Sequence, residues 1–490
     1  MKFAVVCDTH MCPSPASPQR RYLDLFLEEI RRRQPDFVLS LGDITSLGEV
    51  EAMRTYIDLF SGLNHYYVIG NSDVRTEETV DEMCALSPDV CFVCEGHTFL
   101  GINTAKDMIN EDSKARIAAL SDGDVLFMHH YLESLSEEDQ AFLTEKMEKT
   151  AITLLQGHKH DGIDRTLGRS RVIRLRAADP DKSIGGYPCI TFFTLDEEGL
   201  SYEEYLIKTP RAVLEDIEKY FGVSCVDNRA DVTYALEKGI GAVELRTNGA
   251  GWHADYDLVP LLKAWKEKTN GYLSVHMPNL RYRDGKITGG EQWDEALKYA
   301  KDIGADGMTM HPPRAPLGMM TKGSALWNEY LTYYVRVAQT MPETTKLGVE
   351  NMHMENTEEY DETRGFGYLP PEVSSWIDAI NEAIGKPLRV GHLMDVGHAR
   401  SNGLYSQSYP IGRWYEHMGK KTVAYHIHQL AGGNHHAIEA WLAPVINFSS
   451  FFYAWEAGML NHRPIFLEVQ GWENHEKSLA AFEKLKEDAK

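Results

Sequence analysis

The stretch HYYVIGNSDV, residues 65–74, decides how the first half of the chain reads. Its apolar run stops abruptly at Gly70-Asn71-Ser72-Asp73. Val68 and Ile69 read as a buried strand, and Gly-Asn is a turn signal. No hairpin partner is evident. An ordinary loop is the plain reading; the sharper one is that Asn71 stands at a strand end to bind something. The same ending recurs through the first 200 residues. FAVVCDTH ends in Asp8 and His10, DFVLSLGDIT in Gly42-Asp43, DVLFMHHY in His129-His130, and AITLLQGHKH in His158 and His160. Helix-like segments at 20–33 and 48–60 separate several of these runs. Alternating strands and helices predict an α/β layered fold, in which ligands gather at strand C-termini.

Each ending alone is weak, because a Gly-Asp or a paired His at a strand end is more often a turn. Together they supply carboxylates, imidazoles and one amide oxygen. That mixture suits two adjacent divalent ions such as manganese, iron, zinc or nickel. Two such ions activate water and neutralise a phosphoryl group during in-line attack.

On these motifs and their order, residues 1–205 resemble the calcineurin-like metallophosphoesterase family. The resemblance implies that Asp8, His10 and His160 hold one metal. Asn71, His129 and His158 would hold the other, with Asp43 bridging. His129 is chosen over His130 because the family's ligand immediately follows the strand. The family motif at the opening stretch is Gly-Asn-His-Asp, and this chain has Ser72 where that His stands. Serine is a poor general acid near neutral pH but donates a hydrogen bond. The leaving group then needs little help, or His130 supplies it. Branches of the family without that His include phosphodiesterases.

The chain has 490 residues, too many for one ordinary domain, with 43% hydrophobic and 25% charged residues. Its formal net charge is −23, and both halves are acidic. Nucleic acid is disfavoured as a partner, because polyanion binding depends on basic surface. No apolar run reaches the length of a membrane span. Among the seven cysteines, Cys91 and Cys94 form a CxxC with no second pair at zinc-site spacing, and read as core thiols. An odd cysteine count without a secretory signal predicts a reducing cytoplasm. The boundary is expected near Thr209-Pro210, giving domains 1–209 and 210–490.

Beyond it, eight strand-like runs occur: VSCVD, GAVELR, YLSVHMP, GMTMHPP, KLGVENM, VGHLMDVGH, VAYHIHQL and PIFLEVQG. Helix-rich segments follow most of them, at 229–238, 291–303, 324–340 and 474–488. This predicts a (β/α)8 TIM barrel with its site at the C-terminal strand ends. Those ends carry Glu244, His276, His311, Glu350, Asp395, His398, His428 and Glu468. So many chemically active groups on consecutive strands favour a metal site, and this set suits zinc, manganese or magnesium.

This half resembles the xylose isomerase-like barrel superfamily, which includes sugar epimerases and the endonuclease IV family. The resemblance implies a shared metal site of Glu350, Asp395, His428 and Glu468, with the two glutamates moving protons in the epimerase branch. His398 would contact substrate or metal. His276 and His311 resemble extra ligands of the endonuclease IV branch, and GGNHHA offers His435 or His436, His436 being the one carried forward. That branch has an Asp two residues before its His, where Gly433 or Asn434 stands here. One to three divalent metals are expected in the barrel. Arg246, Arg281 and Arg314 are candidate substrate contacts.

The sequence thus predicts a two-domain metal-dependent hydrolase. Asp43, Ser72, His130, Glu350 and Glu468 are its candidate catalytic groups. The N-terminal centre would cleave a small-molecule phosphodiester, and the barrel would act on a related sugar or sugar phosphate. Alternatively, the barrel is an isomerase or epimerase fed by the phosphoesterase, or a second phosphoesterase. The expected partner is a small phosphorylated substrate, without a membrane; a homo-oligomer stays open.

Overall fold

The computed structural model describes residues 1–489 apart from 87–88, 250, 356, 432–433 and 443–444. It divides into two compact units. One comprises Met1–Lys208 with Leu442–Ser450, the other Thr209–Trp441 with Phe451–Lys490.

The first unit contains strands β1 (Lys2–Val6), β2 (Phe37–Leu41), β3 (His65–Val68), β4 (Val90–Cys94), β5 (His97–Gly101) and β6 (Val125–Phe127). They are followed by β7 (Thr153–Gln156), β8 (Ile163–Leu167), β9 (Ser170–Arg174), β10 (Cys189–Asp196) and β11 (Gly199–Leu206). They form two sheets, ordered β11-β10-β1-β2-β3 and β4-β5-β6-β7-β9-β8. The sheets face each other across an aromatic core. Phe3 on β1 meets Phe99 on β5 edge-on, with centroids 5.5 Å apart, and Phe37 on β2 meets Phe92 on β4 at 5.1 Å. Alternation along the second sheet serves two cores. Phe99, Val125, Leu155 and Ile173 face the first sheet, while Leu100, Leu126, Leu154 and Val172 pack with Ile117 and Leu143 of the outer helices.

β1, β2 and β3 run parallel, as do β5, β6, β7 and β9. Strand ends carrying ligand-type residues are therefore brought to the same side of each sheet. Cys91 corrects its expectation: it is exposed and Cys94 only partly buried. Both lie on β4, an edge strand whose alternate residues turn outward.

In the second unit the eight predicted runs form a closed parallel barrel. Its strands are β12 (Phe221–Ser224), β13 (Ala242–Arg246), β14 (Tyr272–His276), β17 (Gly307–Met310), β18 (Lys346–Glu350), β19 (Val390–Asp395), β20 (Thr422–Ile427) and β23 (Ile465–Leu467). Two small hairpins lie outside the barrel: β15 (Arg281–Arg283) with β16 (Lys286–Thr288), and β21 (Gln429–Ala431) with β22 (Asn434–His436). Ala242, Leu393, Ala424 and Phe466, with Tyr272 against them, fill the lower interior. Two residues further along the same strands, Glu244, Ser274, Asp395, His426 and Glu468 replace the apolar plug and are all buried. Strand period thus turns one alternating pattern into stacked interior layers, apolar below and ionisable above. Among the described residues no helix is long and apolar enough to cross a membrane.

Candidate metal centres

At the first centre the chain turns sharply after β1, β2 and β7. Asp8, His10, Asp43, His158 and His160 all have positive φ, at 51°, 40°, 46°, 72° and 61°. Non-glycine residues in this region cost on the order of 1–3 kcal/mol each and persist only where the surroundings fix them. Here the backbone does so: Asp8 N–H donates to the Gly42 carbonyl at 3.2 Å, and His10 N–H to the Asp43 carbonyl at 2.9 Å.

These turns converge the side chains. Asp8, His10, Asp43 and His160 offer ligand atoms within 4.8 Å of one another, and so do Asp43, His129 and His158. Asp43 belongs to both groups. Its Oδ2 lies 3.2 Å from His10 Nε2 and its Oδ1 3.2 Å from His129 Nε2. Asn71 Oδ1 lies 3.1 Å from the same His129 nitrogen. His129 Nδ1 donates to the Leu41 carbonyl at 2.9 Å, which turns Nε2 toward the cluster. His160 Nε2 is buried without a hydrogen-bond partner, 3.5 Å from Asp8 Oδ1. The pocket favours positive charge. Burial opposes ionisation of Asp8, yet the neighbouring His160 and His129 hold its carboxyl at about 2. Burial likewise opposes protonation of His129, and Asp43 and Asp8 overcome it, raising the ring to about 9. Clustered carboxylates, aimed ring nitrogens and an orphaned ring nitrogen fit a pair of divalent ions, whose binding would displace the His129 proton.

Ser72 and His130 stand apart from this donor set. The Ser72 N–H and hydroxyl both donate to Asp43, at 2.8 and 2.9 Å. His130 turns away from Asp43: its Nδ1 lies 3.2 Å from Thr104 Oγ1 and its Nε2 2.5 Å from Asp107 Oδ1. Burial, then the charge of His129, lowers it to about 3, so the ring is neutral.

Two acids escape the sequence reading. Asp73 accepts from Gly70 N at 2.9 Å, Thr45 N at 2.7 Å and Ile44 N at 3.2 Å, tying the Asp43 loop to the Asn71 loop. Asp179 Oδ2 lies 3.2 Å from His10 Nδ1. Asp73 is the last letter of GNSD, and Asp179 ends the run VIRLRAAD, so both carried the signal by which the other strand-end candidates were chosen.

The barrel interior holds a second, larger cluster. His276, His311 and Glu350 form one group, His276, His426 and Glu468 another, and His398, His428 and His435 a third. Glu350 Oε2 lies 3.2 Å from both His276 Nε2 and His311 Nε2. Each ring is oriented through its other nitrogen. His276 Nδ1 pairs with the Met277 carbonyl at 3.1 Å, His428 Nδ1 with the Gln429 carbonyl at 3.1 Å, and His311 Nδ1 with Asn279 Oδ1 at 2.5 Å. His398 Nδ1 pairs with the Asn351 carbonyl at 2.9 Å.

His426, absent from the sequence-based ligand set, sits at the middle. Its Nε2 lies 2.6 Å from Glu244 Oε2, and its Nδ1 lies 3.3 Å from both Glu350 Oε1 and Glu468 Oε2. Burial opposes its protonation, and Glu244, Glu468 and Glu350 together hold it well above the ordinary histidine range. His428 instead lies 3.2 Å from Asp395 Oδ1 and stacks on His435 with centroids 4.0 Å apart. In the motif His426-Ile-His428 both rings face inward, and the deeper one reaches Glu350 and Glu468. His435 reaches Glu468 Oε2 at 3.1 Å, whereas His436 is exposed and belongs to none of these groups, so His435 replaces it as the residue at the cluster. Gly433 lies outside the described residues. Asp395 Oδ2 is buried without a hydrogen-bond partner, and the donor set fits hard or borderline divalent ions.

The three arginines separate. Arg246 is committed to Glu468 Oε1 at 2.5 Å. Arg281 and Arg314 line one cavity of about 240 Å³ together with Arg283, Tyr282 and Tyr368. Within it Arg314 faces Glu355 Oε1 at 3.7 Å.

Residues 1–175 match the calcineurin-like phosphoesterase superfamily domain. Comparison with curated proteins finds no match. Among solved structures, the chain is similar to a putative xylose isomerase from Rhodospirillum rubrum, at 16% identity and TM-score 0.42, covering 55% of this chain and 98% of that one. It is similar to endonuclease IV from Thermus thermophilus, at 14% identity and TM-score 0.39, covering 55% and 99%. It is also similar to a predicted phosphoesterase from Streptococcus pneumoniae, at 13% identity and TM-score 0.26, covering 42% and 88%.

Proposed function

With a calcineurin-like phosphoesterase domain at residues 1–175 as the premise, we propose that the first centre hydrolyses a small-molecule phosphodiester. The observation that carries this reading is the sharing of Asp43 between two donor groups, one with Asp8, His10 and His160, the other with His129 and His158. Asn71 completes the second group through its amide oxygen. Divalent ions held there supply charge neutralisation at phosphorus and activation of the attacking water. The protein's own part is to fix donor positions: Asp43 by Ser72, His129 by the Leu41 carbonyl, and His10 by Asp179. The Ser72 hydroxyl is spent on Asp43 and His130 is neutral, so neither serves as a strong proton donor. A substrate with a good leaving group, as in an activated diester, suits such a site.

For the barrel, a specific observation favours phosphoester hydrolysis over isomerisation. His276 and His311 both bear on Glu350, and His398, His428 and His435 form a further group. Proton transfer at one carbon needs a single ion site with two acids, whereas several clustered donor groups suit a multi-ion clamp on phosphate. Arg281 and Arg314 would receive an anionic part of the substrate. Arg246 would hold Glu468 in place. The two centres would then act in sequence on a related sugar phosphate.

The test compares the intact chain with Asp43→Asn and Glu350→Gln, each loaded with manganese or zinc, on an activated aryl phosphodiester. Loss only in Asp43→Asn assigns the diesterase to the first centre. Loss only in Glu350→Gln overturns that assignment and moves it to the barrel.

A further inference from the structure

The first unit includes nine residues from far along the sequence, Leu442–Ser450. Within that unit Asn447 and Ser450 lie against the loop that follows β9. Asn447 Nδ2 donates to the Ser183 carbonyl at 2.7 Å and to the Gly186 carbonyl at 3.0 Å, and Asn447 N–H donates to the Asp181 carbonyl at 3.3 Å. The Ser450 hydroxyl donates to Asp181 Oδ1. Asn447 and Ser450 are both buried.

The loop they grip touches two ligands of the first centre. Asp181 Oδ2 accepts from Gln19 Nε2 at 2.6 Å, and the same amide nitrogen donates to Asp179 Oδ1 at 3.2 Å. Asp181 N–H also donates to Asp179 Oδ1, at 2.9 Å. Asp179 then faces His10 Nδ1 at 3.2 Å. Further along the loop, Ile184 N–H donates to the His160 carbonyl at 2.9 Å. Ser450, Asp181, Gln19, Asp179 and His10 are each at most 2% exposed, and in so buried a chain a polar group left unpaired is costly.

We infer that the stretch from Asn447 to Ser450 is a positioning element of the first centre. It fixes the Asp179–Gly186 loop, and through it His10 and His160, and thereby sets the affinity of that centre for a divalent ion. Partners of this kind orient a ligand ring, and their loss typically weakens metal binding about 10–100-fold. The segment contributes no ligand itself. It secures the carboxylate behind one ligand and the backbone of another.

The inference rests on the first centre being a metal site, and the experiment separates the two. Full-length protein is titrated with Mn²⁺ against a competing chelator, and the ion retained by the intact chain but not by Asp43→Asn is assigned to the first centre. Ser450→Ala and Gln19→Leu are expected to bind that ion about tenfold more weakly, and Ser450→Thr, which keeps the hydroxyl, to bind it normally. Intact affinity in Ser450→Ala and Gln19→Leu overturns the inference, as does equal weakness in Ser450→Thr and Ser450→Ala. Should Ser450→Ala fail to fold, Asn447→Asp, which loses the amide donors to the Ser183 and Gly186 carbonyls, decides in its place. If the intact chain holds no more Mn²⁺ than Asp43→Asn, the metal reading of the centre falls first.

Discussion

Ser72 donates twice to one side chain, its N–H to Asp43 Oδ1 at 2.8 Å and its hydroxyl to Asp43 Oδ2 at 2.9 Å. Both oxygens of the shared carboxylate are thereby aimed by a residue that contributes nothing to the ligand set. Hydrogen bonds to a charged acceptor contribute about 1.5–3 kcal/mol each. Ser72→Ala keeps the backbone donor and loses the other, so Mn²⁺ affinity at the first centre is expected to fall about tenfold or more. Chelator competition measures it, and unchanged affinity would show that the hydroxyl does not hold Asp43.

Gly70 stands where the β3 loop passes beneath the same carboxylate. A Cβ there would lie 2.6 Å from Asp43 N and 2.7 Å from His129 Cδ2, and closer still to Asp43 Oδ1. These neighbours are a backbone atom and two buried side chains of the first centre, none free to give way. Gly70→Ala is expected to displace Asp43 or His129 and to reduce diester hydrolysis about a hundredfold, the scale set by ångström misplacement of reacting groups. Barrel metal content, measured in parallel, should stay at the wild-type level. An active Gly70→Ala would mean the turn relaxes without moving the ligands.

Much of this arrangement was legible in the sequence because it lies at strand ends. Abrupt polar endings marked Asp8, Asp43, Asn71, His129 and His158, and the eight C-terminal runs correspond to the eight barrel strands. What escaped was fixed by side-chain direction and by distance along the chain. His426 near the end of β20 and His428 just past it both face inward, and only packing tells which ring sits beside Glu350. His435 and His436 point to opposite faces of a short hairpin, which sequence spacing does not resolve. Leu442–Ser450 belongs to the first unit although more than 230 residues separate it from Lys208. No local pattern encodes that.

Glu244 is wholly buried and lies 2.6 Å from His426, with Ser274 Oγ donating to it at 3.1 Å. Neutralising it removes one of the charges that keep His426 protonated beside Glu350 and Glu468. Breaking one partner of a buried ion pair typically costs about 3–5 kcal/mol. Glu244→Gln is expected to destabilise the barrel by about that amount in metal-free protein, read from denaturant unfolding. Added Zn²⁺ should restore part of the loss, because an ion beside Glu350 and Glu468 no longer needs the imidazolium. A variant as stable as wild type without metal would show that the barrel tolerates the uncompensated pair.

His475, in the final helix Trp472–Asp488, is buried with its Nδ1 3.2 Å from the Tyr234 hydroxyl. Burial lowers its pKa from 6.5 to about 4. The folded state therefore binds this proton less readily than the unfolded state, which takes it up near pH 6.5. Between those values the unfolded chain holds more protons, so stability is present above about pH 6.5 and is lost as pH falls toward 4. The loss attributable to this ring between pH 7 and 4.5 is about 2 kcal/mol. Replacing it by glutamine removes the titration. Urea unfolding of the barrel at both pH values should show a smaller acid loss in His475→Gln than in wild type, by about that amount. Parallel losses in the two proteins would mean that the ring is protonated without unfolding, or that acid sensitivity lies in other buried histidines.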